Sequence, residues 1–123
     1  MTKILKIVVG LAALLFIVIG LRWVIDPTSV AAEFGMPLMQ GLGLSTQIGD
    51  LGAFFTAGGL MVLLGLQTGN KTWLMAPAML LCLTAVFRTL AWALHDASFA
   101  GPQIAIELVV AVLLLVVATR PAE

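Results

Sequence analysis

Four long apolar stretches of this chain each carry one ionisable residue: Arg22, Asp50, Arg88 and Glu107. A charged side chain at the centre of a membrane helix costs about 2.5–3.5 kcal/mol on the insertion scale, and less near the interface. The economical arrangement turns all four inward and pairs them across a bundle. Two guanidinium groups in such a layer can hold phosphate or carbonyl oxygens, and two carboxylates can keep them oriented. Polar neighbours fall on the same helix faces. Thr84, Arg88, Trp92 and His95 are spaced by four, four and three residues, and Gln103 and Glu107 by four. Thr46, Gln47 and Asp50 share a face, as do Arg22 and Asp26. The candidate ligand-binding set is therefore Arg22, Asp50, Arg88 and Glu107, with Gln47, Trp92, His95 and Gln103 around them.

The elements that carry these residues are helices of membrane-spanning length, which takes about 20 apolar residues. Spans are expected over residues 4–25, 47–66, 72–94 and 103–119. Asp26-Pro27 ends the first, because a helix seldom continues to the residue before a proline. Gln67 to Lys71 forms a polar turn, as do His95 to Ser98 with Gly101-Pro102. Arg120-Pro121 closes the fourth span. At about 1.5 Å per residue, the four charges lie about 5–10 Å below one end of their spans. The expected fold is all-α: a single polytopic transmembrane four-helix bundle, ionic at one end and aliphatic at the other.

Composition excludes most alternatives. Of 123 residues, 62% are hydrophobic and 10% charged, with a mean hydropathy of +1.17. Soluble domains are about 45–50% apolar and about 25% charged. A net charge of zero offers no attraction to nucleic acid. One cysteine and one histidine exclude a disulfide framework and argue against a zinc site. Lys3, Lys6, the apolar run and Ser29-Val30-Ala31 also fit a signal peptide. The run is too long for a signal core, however, and Arg22 interrupts it, so the segment is expected to remain as a span.

Lys3, Lys6, Lys71 and Arg120 lie on one side, and the opposite loops carry Asp26, Glu33 and Asp96. The expected orientation puts both termini in the cytoplasm. The same asymmetry argues against dual-topology exporters and fluoride channels of similar length.

The outer loop, residues 26–45, is long for a small bundle. Asp26 is expected to cap a short amphipathic helix with Pro27 at its first position. Val30, Ala31 and Phe34 form its stripe, and Gly35 stops it. An apolar loop then dips back, and the whole segment acts as a membrane-surface anchor. The second span is rich in small residues. Gly49, Ala53 and Ala57 recur every four residues, and so do Gly52 and Thr56. Such faces let helices approach closely. Packing within the chain is the favoured reading, with a homodimer or partner interface as the alternative and Phe54 and Phe55 facing lipid or pocket. The two halves loosely echo each other: Arg22 precedes Asp50 as Arg88 precedes Glu107.

No Cys-x-x-Cys, histidine pair for haem or phosphate-cradling glycine loop is present, so no residue set points to catalysis, to a metal or to a resident cofactor. His95 is expected to cap the interface and Cys82 to be inert core. Two readings of the charge layer stand level: a pocket for an amphipathic molecule, a lipid headgroup or a quinone, and a structural staple. With the staple goes an accessory or assembly subunit of a larger membrane complex. A small ion-coupled transporter using Asp50 or Glu107 ranks third, because no charge continues a path through the aliphatic half.

The segments Glu33-Phe34-Gly35-Met36-Pro37-Leu38, Gly49-Asp50-Leu51-Gly52-Ala53-Phe54-Phe55 and Phe87-Arg88-Thr89-Leu90-Ala91-Trp92-Ala93-Leu94-His95 resemble those of small bacterial four-helix membrane proteins of unknown function, similar to the DoxX-like group. The resemblance covers nearly the whole chain. It implies the four-span fold and a bacterial inner-membrane location. The group takes its name from a subunit associated with a terminal quinol oxidase, which implies a quinone pocket or an accessory role in membrane redox metabolism.

Overall fold

The computed structural model describes residues 2–120. Five helices account for most of them: α1 (Thr2–Ile25), α2 (Pro27–Glu33), α3 (Leu42–Thr68), α4 (Lys71–His95) and α5 (Gly101–Thr119). Four of these are long and apolar enough to cross a membrane, and no strand occurs among the described residues. The chain is a four-helix membrane bundle with a short helix in its first connection. Its terminal end holds the start of α1, the turn at 69–70 and the end of α5. Its loop end holds α2 and the 96–100 connection.

The first connection forms largely as the residues dictate. The Asp26 side chain accepts a hydrogen bond from the Ser29 N–H at 3.4 Å, and Pro27 opens α2. Val30 and Ala31 are buried, and Gly35 adopts the left-handed φ of +71° that ends the helix. The next span starts earlier than expected, at Leu42, so the irregular segment is only residues 34–41. Leu44, Ser45 and Thr46 contain no helix breaker, and Gly41 supplies the turn before them. Residues Gln47–Leu51 form a π-helical segment inside α3. Gly101-Pro102, expected as part of a turn, begins α5 instead, because proline is at home in the first helical turn. At the other end of α4, Asp96 takes a left-handed φ of +56° and stops the helix.

Glycine explains how closely α1 and α3 approach. A Cβ on Gly59 would lie 2.5 Å from the Ala13 carbonyl oxygen, and one on Gly20 would lie 2.8 Å from the Gly52 carbonyl oxygen. These are contacts with backbone, which cannot rotate away. The buried Gly52, Gly58 and Gly59 of α3 thus face α1, while Gly65 faces Leu74 and Trp73 at the start of α4. The repeat of Gly49, Ala53 and Ala57 lies on the other side of the helix, exposed.

The core divides unequally. Val9 and Ala13 of α1, Val62 of α3, Leu74, Ala78 and Leu81 of α4, and Ala111, Leu114 and Val117 of α5 form one apolar cluster in the terminal half. Cys82 packs against it. Toward the loop end, the buried cluster is Trp23, Val30 and Ala31, with Ile19, Phe34, Met36 and Leu51 against it. It contains nothing from α4 or α5. Beyond Ala85 on α4 and before Ala111 on α5, no described residue of that hairpin is fully buried. The two hairpins therefore share a core in one half of the bundle only. Phe54 and Phe55, expected to face lipid or a pocket, are half-buried. Phe55 makes edge-to-face contacts with Phe16, Phe34 and Phe54 at ring-centre distances of 5.4, 5.4 and 5.1 Å.

Candidate functional site

The four intramembrane charges do not form one layer of pairs. Arg22, near the end of α1, gives both Nη groups to the two carboxylate oxygens of Glu33 on α2, with Nη1 to Oε1 at 3.1 Å. Glu33, the last residue of α2, is outside the expected network. It wins Arg22 because α2 folds back over the end of α1, and because a guanidinium three residues from a helix end reaches the interface readily. The hydrogen bond to Arg22 holds the Glu33 carboxyl below its ordinary range.

Arg88 and Glu107 pair across the second hairpin. The Arg88 Nε–H donates to both Glu107 oxygens at 3.0 Å, and the side chains are 36% and 14% exposed. The inner stripes of the two helices place them. Ala78, Leu81 and Ala85 lead to Arg88 on α4, and Leu114 and Ala111 lead to Glu107 on α5. Contact is side-on through Nε. Both Nη groups of Arg88 remain without a hydrogen bond among the described residues.

Asp50 departs from the expected inward position. It is exposed and has no ion pair or hydrogen bond among the described residues. Gly52, which must face α1, lies two residues away, and residues so spaced point to opposite sides of a helix. The close glycine contact thus decides the rotation of α3 and turns Asp50 outward. Counted from Leu42, His95 and Gly101, Asp50, Arg88 and Glu107 lie about 9–12 Å inside their helices at about 1.5 Å per residue. Asp50 lies deeper along its helix than expected because that helix starts at Leu42.

Gln47 is buried, and its amide is already committed. Nε2 donates to the Pro37 carbonyl oxygen at 3.0 Å, and Oε1 accepts from the Met39 N–H at 2.8 Å. It ties down the 34–41 segment, so the amide expected among the ligand-binding groups is engaged within the chain. Leu38 and Met39 are nonetheless exposed, so of that segment Phe34 and Met36 pack inward. Trp92 is half-exposed and makes an edge contact with Phe99 at 5.1 Å, while His95 and Gln103 are exposed near it. These three surround the Arg88–Glu107 end of the second hairpin and not a site common to four helices. Trp23 is wholly buried, and its indole N–H has no acceptor among the described residues.

No group of His, Cys, Asp and Glu among the described residues has the arrangement to hold a metal ion. The arrangement at Arg88 can do one thing chemically: present two N–H-bearing nitrogens of an oriented cation to an oxygen ligand. No family model matches the chain, and neither a curated protein nor a solved structure does.

Proposed function

We propose that this is a small, non-enzymatic bacterial inner-membrane protein, with both termini cytoplasmic, that binds the polar head of an amphipathic molecule at Arg88. The observation that carries the reading is the state of that guanidinium. Glu107 engages Nε alone, and both Nη groups are unbonded. They sit where the two hairpins no longer share a buried cluster. Glu107 orients the cation, and a phosphate or carbonyl oxygen completes its hydrogen bonding. A lipid headgroup and a quinone both supply such oxygens. Trp92 and Phe99, packed edge to face, offer apolar rings beside the head, and the aliphatic half of the bundle flanks the tail. The resemblance to the DoxX-like group is part of this reading, since its most specific segments include Asp50 and Arg88.

Native mass spectrometry of gently extracted protein tests it. A co-purifying lipid or quinone that is lost in Arg88→Gln is the expected result. Protein free of any such molecule, or a molecule that survives the substitution, sinks the reading.

A second reading, an accessory subunit of a larger membrane complex, has its own support. Asp50 is exposed and unpartnered at hydrocarbon depth, on the α3 side that also presents Gly49, Ala53 and Ala57. A small-residue face around a charge suits a partner helix. This reading expects a stoichiometric partner protein in a mild-detergent pulldown, released by Asp50→Asn. A clean monomer in every detergent counts against it.

A further inference from the structure

The ion pair that orients Arg88 also limits what Arg88 can hold. The Arg88 Nε–H donates to both Glu107 oxygens at 3.0 Å, and the Glu107 side chain is only 14% exposed. Guanidinium and carboxylate cancel, so the pair is neutral as a unit. Its two Nη groups still offer N–H donors.

Charge decides between the oxygen ligands those donors could take. An anion on either Nη would lie within about 4–6 Å of the Glu107 carboxylate, a range in which like charges repel strongly. The other basic side chains do not offset that repulsion. Arg22 is held by Glu33 on the first hairpin. Lys3 and Lys6 lie in the opening turns of α1, and Lys71 opens α4, all at the terminal end. At about 1.5 Å per residue, Lys71 is about 25 Å from Arg88 along α4, and Arg120 is about 20 Å from Glu107 along α5. Toward the loop end, α4 finishes in His95, and Asp96 follows with a further carboxylate. The flanks of the pair are apolar: Phe87, Leu90, Ile106 and Leu108 are exposed beside it and screen the repulsion poorly.

A neutral carbonyl oxygen meets no such cost and accepts a charge-assisted hydrogen bond from the same donors. We infer that Glu107 is a specificity-determining residue: it excludes anionic headgroups from Arg88 and restricts the site to the carbonyl oxygen of an uncharged amphipathic molecule. A quinone ring and the acyl ester of a neutral glyceride share that chemistry. This selectivity rests on the reading of Arg88 as a ligand site and removes phosphate from the oxygens open to it.

The test uses the full chain in a neutral detergent, with retention of decylubiquinone, dioctanoylglycerol and dioctanoyl phosphatidylglycerol read by native mass spectrometry. The two glycerides carry the same acyl esters and differ in the anionic head. Arg88→Gln defines the share of each probe's retention that belongs to this site. In the unsubstituted protein, that share is expected to be at least about tenfold larger for the uncharged probes than for phosphatidylglycerol. Preference for decylubiquinone assigns a ring carbonyl, and preference for dioctanoylglycerol assigns an ester. Glu107→Gln leaves the guanidinium charge unopposed and is expected to raise phosphatidylglycerol retention about tenfold. Glu107→Asp, which keeps the negative charge, is expected to keep the original order. Equal Arg88-dependent retention of the two glycerides, or a folded Glu107→Gln variant with the order unchanged, overturns the selectivity and leaves the Arg88 site standing. Arg88-dependent retention of no probe overturns both.

Discussion

The two hairpins of this bundle solve the same problem differently. Each brings an arginine near the end of an outgoing helix and a carboxylate early in the returning one. In the second hairpin the two meet, Arg88 with Glu107. In the first they do not: Arg22 turns to Glu33 of the connecting helix, and Asp50 faces outward. The difference lies in the helix contacts beneath the charges. The glycines of α1 and α3 bring two backbones together, and that contact leaves α3 no freedom to rotate Asp50 inward. The α4–α5 pair has larger side chains between its helices, so its inner stripes run straight from the core into the ion pair. An internal echo in sequence does not ensure an echo in structure when backbone contact sets the helix phase on one side only.

The tryptophans offer the largest test of this contrast. Trp23 of the first hairpin is fully buried between α1 and α2, and Trp92 of the second is half-exposed. Trp23→Ala is expected to cost about 3–5 kcal/mol of stability, as large aromatic truncations in cores do. Trp92→Ala should fall well below that. Thermal unfolding in one detergent, followed by near-ultraviolet circular dichroism, measures both. Equal losses would dissolve the distinction between a packed and an open loop end.

Glycine substitution sharpens it. Gly59→Ala forces a Cβ against the Ala13 carbonyl and is expected to destabilise by about 1–3 kcal/mol. Gly49→Ala, on the same helix but with nothing within 4 Å of its Cβ, should be neutral or slightly stabilising. The same melts read both, and a neutral Gly59→Ala would show that the two backbones are not held in contact.

Breaking the ion pair of the second hairpin comes next. Arg88→Gln leaves the Glu107 carboxyl unpaired at hydrocarbon depth. A loss of about 1–2 kcal/mol is expected, below the full cost of a charge at a helix centre because the site is nearer the interface. The double variant Arg88→Gln with Glu107→Gln should recover most of it. A double variant as unstable as the sum of the singles would rule out coupling between the two groups.

The smallest effect belongs to Arg22 and Glu33, an exposed pair. The Glu33 carboxyl ionises more readily in the folded protein than in the unfolded chain. Its contribution is therefore fully present above the ordinary glutamate range and is lost as pH falls through the lowered folded value. Glu33→Gln should flatten this acid limb of the stability profile with a barely measurable change at neutral pH. An unchanged acid limb would mean that the pair does not persist in solution.

Much of this architecture was readable from residue order. Runs of apolar residues set four spans, and Asp26-Pro27 and Gly35 delimited α2. These are local properties, decided by backbone hydrogen bonding, the cost of burying charge in hydrocarbon and the special geometry of proline and glycine. Gln47 was legible as a polar residue at the right depth, but its commitment to Pro37 and Met39 depends on where an irregular segment folds back. The pairing of the charges depended on azimuth. Side-chain direction rotates by about 100° per residue along a helix, so it is settled only when the tightest interhelix contact has been made. Tertiary structure made that contact at Gly20, Gly52 and Gly59. Those glycines decided that Asp50 would face outward, and with it that Arg22 would be left to Glu33.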